Sequence, residues 1–445
     1  MIDVEAFKDA VTHAPAQKLY GRVTKVTGMV LESIGPVTRV GELCQVIDPI
    51  TRESHMAEVI GFSDNRVLLM PLSSPVGIKL GDLIEASGKM PEVRVGPGLL
   101  GRILNGLGQP IDDKGPIGSC VQRGINAKPI NPMDRKPIDE PLCTGVRSID
   151  GLLTCGRGQR MGIFAGSGVG KSTLLGMIAR NSKADVNVIS LVGERGREVS
   201  AFIEHDLGEE GVKRSVIVVS TSDNPPLIRM RAALTATAIA EYFCEQGKHV
   251  LLMMDSVTRF AMAQREVGLS AGEPPSAKGY TPSVFALLPQ LLERAGNFHQ
   301  GSITGIYTVL VEGDDMNEPV SDAVRSILDG HIVLTRRLAS RNHYPAIDVL
   351  DSISRLMNSL VSVEQSHLAG KIRDLMATYK DAEDLINIGA YAKGSNPAID
   401  QAVAFHEAIE SFLKQAVKEG STMDEALSGM AGIFGIDIKQ FVEGE

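Results

Sequence analysis

The chain has no tryptophan, and its aromatic residues make up only 4% of 445. Platforms that hold single-stranded bases need aromatic faces in series, so this scarcity argues against that class of binder. A basic excess is missing too. The 54 acidic residues outnumber the 45 lysines and arginines and leave a formal net charge of −9. That balance gives no electropositive footprint for a phosphate backbone, and no specific nucleic-acid partner is expected. The five cysteines, Cys44, Cys120, Cys143, Cys155 and Cys244, are scattered. They fall at no short Cys–Cys or Cys–His spacing and read as buried free thiols in a reducing compartment, not as disulfides or zinc ligands. The nine histidines show no ligand spacing either. No apolar run approaches the ~20 residues of a membrane span, and no signal peptide opens the chain. A cytoplasmic protein is expected, or one held at a membrane by a partner.

What is present is the balance of a soluble globular protein, 43% apolar and 22% charged. A chain of this length divides into two or three domains. Residues 1–18 form an amphipathic pattern in which Ile2, Ala6, Phe7, Ala10, Val11 and Ala14 share a helical face and Pro15 ends it. Such a helix either packs on its own domain or serves as a docking handle. From residue 19 to about 93 the pattern changes to short β-prone runs cut by Gly and Pro: Arg22–Val30, Leu43–Ile47, Met56–Gly61 and Arg66–Pro71. Strands this short predict a small closed β-barrel, since closure removes exposed edges. A Gly/Pro-rich connector follows over Val95–Asp113. It contains Gly96, Gly98 and Gly101 in a literal G-x-G-x-x-G. Pro97 has no N–H to offer a pyrophosphate and no helix pattern follows, so this is not a dinucleotide site.

Further prolines follow through Pro141, and from about residue 145 to 355 strand-like and helical patterns alternate. Apolar runs at Arg160–Ala165, Val186–Val192, Ser215–Ser220, Val250–Asp255, Ser302–Val311 and His331–Leu334 predict a mostly parallel sheet buried on both faces. Beyond Arg355 the chain reads as a bundle of several helices to residue 445. The predicted organisation is therefore an N-terminal helix (1–18), a β-barrel domain (19–93), an α/β core with its connector (94–355) and an α-helical domain (356–445).

The strongest chemical signal runs from Ala165 through Gly166, Ser167, Gly168, Val169, Gly170, Lys171 and Ser172 to Thr173. It follows a strand pattern and precedes a helix pattern, as a phosphate cradle must. The glycines let successive N–H groups curl around phosphate oxygens, and the helix N-terminus adds its positive end. Lys171 supplies a charge to the same oxygens, and Ser172 a hydroxyl to Mg²⁺. ATP with Mg²⁺ is the cofactor set this motif predicts. Asp255 ends an apolar strand and places a carboxylate beside the cradle to hold the metal; a cap for the next helix is the lesser alternative. Glu194 follows another apolar strand, where it can polarise an attacking water, with Arg195 next to it for phosphate. Taken alone that segment is as readily a solvated charged turn. Tyr344 offers a ring for adenine and Arg355 a finger for a neighbour's γ-phosphate. From spacing alone these two read sooner as a packed tyrosine and a surface arginine.

Together these segments resemble the hexameric RecA-like ATPases related to the catalytic subunit of rotary ATP synthases. In the core the resemblance is carried by GSGVGKST at 166–173, VGERGREV at 192–199, LLMMDSVTRFAMAQRE at 251–266 and HYPAIDVLDSISRL at 343–356. Within that group the chain looks most like the flagellar and type III protein-export ATPases, through PPSAKGYTPSVFALLPQLLERAGN at 274–297, EGDDMNEPVSDAVRSILDGHIVL at 312–334 and IGAYAKGSNPAID at 388–400. The resemblance implies a RecA-like P-loop core between a β-barrel domain and a helical domain. It implies Lys171 and Ser172 as the phosphate- and magnesium-binding pair, Glu194 as the carboxylate that activates water and Asp255 as the acid that holds the metal's water shell. It also implies Arg195 binding phosphate, Tyr344 packing on adenine and Arg355 acting in trans. The implied partners are five further copies in a homohexamer, a stator-like regulator at the N-terminal region, membrane components of an export gate, chaperones and substrate proteins. The implied place is the cytoplasmic side of the inner membrane, at the export apparatus. A rotary catalytic subunit and a ring-shaped nucleic-acid translocase are the alternatives on the same core. A non-catalytic nucleotide binder would have no need of Glu194.

Overall fold

Alternation of buried and exposed residues from Tyr20 to Ala86 wraps a small sheet around its own apolar side chains. A computed structural model describes residues 19–436 apart from Glu312 and Asp314; the helix pattern read over residues 1–18 lies outside the described residues. Strands β1 (Tyr20–Thr27), β2 (Val30–Ile34), β3 (Leu43–Ile47), β4 (Ser54–Ser63), β5 (Arg66–Pro71) and β6 (Leu83–Ala86) close into a barrel in the order β1-β2-β5-β4-β3-β6. Val23, Leu31, Val46, Val59, Leu69 and Ile84 fill it. The run Arg22–Val30 is not one strand. Gly28 turns the chain at φ +58° and brings Val30 opposite Thr27, because glycine enters that conformation without a Cβ clash. The short strand β6, which no periodicity flagged, closes the barrel by pairing antiparallel with both β1 and β3.

The second unit is built on a sheet of nine strands. They are β7 (Arg102–Asn105), β8 (Arg160–Ala165), β9 (Val186–Glu194), β10 (Ser215–Thr221), β11 (His249–Asp255), β12 (Gly296–Asn297), β13 (Ser302–Leu310), β14 (Gly330–Leu334) and β15 (Ile347–Ser354). Their spatial order is β15-β14-β8-β13-β11-β9-β10-β7, with β12 beside β13. Only β12 and β15 pair antiparallel, so the sheet is mostly parallel, as its continuous apolar strands predict. Alternate side chains feed two cores. Val186, Val188 and Val192 pack with Ala236, Ile239 and Phe243 of helix α2 (Pro226–Glu245) on one face. Ile163, Ile189 and Ile217 pack with Leu174, Leu175 and Ile178 of α1 (Lys171–Asn181) on the other.

Strand β7 comes out of the stretch read as connector. Its Arg102 hides the pattern: the guanidinium is 9% exposed and meets Asp112 through two hydrogen bonds of 2.8 Å. A buried charge is tolerated there because it is fully paired. The G-x-G-x-x-G residues make a short turn, with Gly101 at φ +75° giving its N–H to Ser215. A strand follows instead of a helix, so no dinucleotide site forms.

Three longer helices end the described chain: α4 (Val363–Asn387), α5 (Pro397–Leu413) and α6 (Met423–Ile433). Each starts on a side-chain cap, Ser362, Asn396 and Thr422, the last in a full capping box with Glu425. Buried Asp150 accepts from Thr144 and Gly145, and Gln365 of α4 donates to the carbonyls of Asp150 and Gly151. Among the described residues no helix is long and apolar enough to cross a membrane.

His343 and Glu410 of α5 form a partly buried pair, Nδ1 to Oε2 at 2.9 Å. That hydrogen bond holds the Glu410 carboxyl down to about 2, against its ordinary 4.5. A carboxyl depressed in the folded state adds stability above its unfolded value and loses it as pH falls through its folded value. The thermal midpoint is therefore expected to fall between pH 4.5 and pH 2, and Glu410→Gln to flatten that part of the curve. Equal slopes in the two proteins, followed by calorimetry, would show that the pair contributes nothing.

Candidate functional site

Strand β8 ends at the buried Ala165, and the chain turns through Gly166–Gly170 before α1 begins at Lys171. Gly168 and Gly170 take φ of +78° and +90°, which aims consecutive N–H groups into one hollow. The Tyr344 ring lies against Gly170, 3.5 Å from where its Cβ would stand, an ordinary packing distance, so the left-handed φ alone asks for glycine there. Val169 is buried, so it offers the hollow backbone only. Ser172 and Thr173 sit half-buried in the first turn of α1 and line the cavity with Lys171.

The Lys171 ammonium is ion-paired with Asp255 at the end of β11, and lies 3.6 Å from Glu194 Oε1. Burial works against its charge, but the two carboxylates outweigh burial and raise its pKa. Asp255 also accepts from Thr308 Oγ1 at 2.8 Å. Glu194 is different. Its burial, reinforced by the nearby Asp255 charge, outweighs the pull of Lys171 and pushes its carboxyl up to about 7. The Glu198 carboxyl, one turn on, shares a hydrogen bond with Glu194 and is held below its ordinary value.

The register of β9 against β10 slips between Val192 and Glu194, at Gly193 with φ +70°. The slip turns Glu194 toward the cradle. It also lets the stem of Arg259, from helix α3 (Val257–Ser270), lie 3.0 Å from where a Gly193 Cβ would stand. Arg259 thereby enters the cavity wall, its buried Nε without a hydrogen-bond partner among the described residues. Sequence reasoning missed it, although it stands four residues past Asp255, one turn into the helix that the carboxylate opens. Arg336, at the start of the short helix Arg336–Ser340, is a second missed cation of the wall.

The cavity so formed measures about 710 Å³, a size that suits a nucleotide. Arg195 reaches its edge, but its side chain is 82% exposed and 3.7 Å from Glu198. Tyr344 is beside the cradle and half-exposed. Arg355 is not brought in. Its exposed guanidinium gives a 3.3 Å hydrogen bond to the Arg325 carbonyl, and it does not line the cavity of its own chain. The oxygen donors of Ser172 and Asp255 fit a hard cation such as Mg²⁺, which prefers one or two carboxylates completed by phosphate and water.

A glycine-cornered turn between a central strand and a helix, with a lysine at the helix start and an acid ending a neighbouring strand, defines a P-loop nucleotide-binding ATPase. Family models agree over most of the chain. The ATP synthase alpha/beta family nucleotide-binding domain matches residues 145–354, its beta-barrel domain residues 23–88, and the T3SS EscN ATPase C-terminal domain residues 361–432. A flagellum-specific ATP synthase of Bacillus subtilis is 52% identical over 96% of this chain and 98% of its own length. A type 3 secretion system ATPase of Sinorhizobium fredii is 48% identical over 92% and 91%. The assembled ATPase EscN of the enteropathogenic E. coli type III secretion system superposes with a TM-score of 0.89 at 47% identity, covering 93% of this chain and 99% of EscN. The chain thus belongs to the ATP synthase alpha/beta family and, within it, to the flagellar and type III secretion ATPases.

Proposed function

We propose that the chain hydrolyses Mg·ATP at the interfaces of a ring of identical subunits, and that this turnover drives protein export through a flagellar apparatus or a related type III one. One observation carries the reading: Lys171 and Glu194 line one cavity with Asp255 ion-paired to the lysine in its floor, while Arg355 is exposed and outside it. A set that lacks its finger in cis is completed by a neighbour, and a single sequence that supplies both halves closes into a symmetric ring.

Lys171 faces its own carboxylates, Asp255 and Glu194. An arriving triphosphate draws the ammonium away from Asp255, and the released carboxylate becomes free to hold the metal's water shell. Mg²⁺, when bound, would offset phosphate charge and help fix the terminal phosphoryl group in line. Backbone N–H groups from Gly166 to Thr173 bind the phosphates, and Tyr344 stacks on adenine. Arg195 and Arg259 face the terminal phosphate. Glu194, with a pKa near that of a working general base, orients the water and takes its proton. Arg355 reaches the neighbour's γ-phosphate as charge develops.

EscN has been seen in complex with its central stalk EscO, and we extend to this chain a stalk-like partner of that kind. A regulator at the N-terminal region, chaperones, substrates and an export gate at the inner membrane complete the proposed setting. A rotary catalytic subunit is disfavoured by the likeness of residues 361–432 to the EscN domain. Mg²⁺-dependent ATPase activity per chain, measured on the purified protein, is expected to rise steeply with protein concentration and to vanish with EDTA. Activity that is constant per chain would exclude completion in trans. Negligible activity at every concentration would point to a missing dissimilar subunit.

A further inference from the structure

Helix α1 has the phosphate cradle at one end and the loop between α5 and α6 at the other. At its last turn Arg180 Nη2 donates to the carbonyl of Val417 at 2.6 Å. The next residue, Asn181, has its side-chain oxygen 3.0 Å from where a Cβ on Gly420 would stand. The same loop is held again from the other side of the cradle. Gln415 gives its N–H to the Tyr344 carbonyl at 2.9 Å, and the Tyr344 ring lies on Gly170. The loop over 414–421 is thus tied to the nucleotide site by two routes, one through Tyr344 and one along α1, a helix about 16 Å long.

Arg180 also has a second partner to hand. Asp206 lies in the π-helical turn Phe202–Leu207, its carboxylate near Thr173 of the cradle and close enough to act on the Arg180 charge without an ion pair. The approach depends on Gly176, where any Cβ would stand 2.7 Å from Asp206 Cβ. That turn continues directly from the short helix Gly196–Ala201, which follows Glu194. Arg180 is thus bonded to a carbonyl of the C-terminal helices, with a core carboxylate nearby as a second place for its charge, and a side chain with two such places meets the physical requirement for coupling between sites.

We propose that Arg180 is a positioning residue that conveys occupancy of the phosphate cradle to the C-terminal helices, holding or releasing Val417 as α1 shifts, with Asp206 as its alternative partner. The inference rests on ATP binding at the cradle. Neither Arg180 nor Val417 touches the reacting atoms, so the informative readout is hydrogen exchange in loop 414–421 of the full chain, with and without Mg²⁺ and the non-hydrolysable analogue AMP-PNP. In the unaltered chain the analogue is expected to slow exchange at Val417–Ser421 by about five-fold or more. R180A is expected to bind the analogue with little change in affinity and to lose that protection. R180K, which keeps the charge and a donor, is expected to recover part of it. Protection that persists in R180A overturns the proposal. So does protection lost equally in R180A and R180K together with analogue binding, since Arg180 would then be merely structural. Binding by the unaltered chain is measured first: no binding there defeats the ATP-site reading, whereas binding without protection defeats only this inference.

Discussion

Glu194→Gln is expected to lower kcat by about 10²–10⁴-fold while leaving ATP affinity almost unchanged. The amide keeps the size of the side chain and can still orient a water, but it cannot accept the proton. Affinity is spared because Glu194 faces Lys171 at 3.6 Å from within a site already holding Asp255. Removing one negative charge beside an incoming triphosphate does not oppose binding. The pH profile adds an independent check. A general base works deprotonated, and the raised pKa of Glu194 puts its loss near pH 7. Turnover of the unaltered enzyme should therefore fall as pH drops through that value, and the residual rate of Glu194→Gln should be flat over the same range. Steady-state kinetics together with equilibrium nucleotide binding on one preparation decides the matter. Turnover equal to that of the unaltered chain would remove Glu194 from the role of base.

The phosphate cradle was legible because its chemistry is local: Gly166 to Thr173 must follow one another to make a hollow at a helix start. Asp255 was legible for a similar reason, as an acid ending an apolar strand. The parallel sheet was legible because burial on both faces leaves continuous apolar runs. Arg259 was not, since its place depends on Gly193, some sixty-six residues away in the chain, lacking a side chain. Periodicity reports which face of an element is apolar, not which glycine of another strand will admit an arginine stem. Strand β7 escaped for a related reason: Arg102 breaks its apolar pattern, and only the paired Asp112 makes the residue suitable for burial. The barrel's first hairpin was read as one strand because a turn of two residues marked by Gly28 barely interrupts β-prone sequence.

Arg355 is the residue whose sequence reading and position differ most in kind, since nothing in one chain shows its use. Arg355→Ala is expected to cost about 10³-fold or more in turnover while leaving nucleotide binding intact, because the guanidinium is outside the cavity of its own chain. Lys171→Ala is expected to be inactive for the opposite reason, losing a cis contact to phosphate. The two inactive chains test the ring directly when mixed before assembly. An interface that takes Lys171 from the Arg355→Ala chain and Arg355 from the Lys171→Ala chain is complete, and random mixing in equal amounts makes about one interface in four of that kind. ATPase activity should therefore reappear in the mixture, to at most about a quarter of the unaltered level, provided that a complete interface can turn over beside defective ones. Recovery would assign Arg355 to the neighbour's site, whereas a cis role predicts none, because every chain then carries a broken set. If Arg355→Ala alone kept full activity, the finger would have to be sought elsewhere, and Arg336, exposed at the cavity wall, is the next cation to replace.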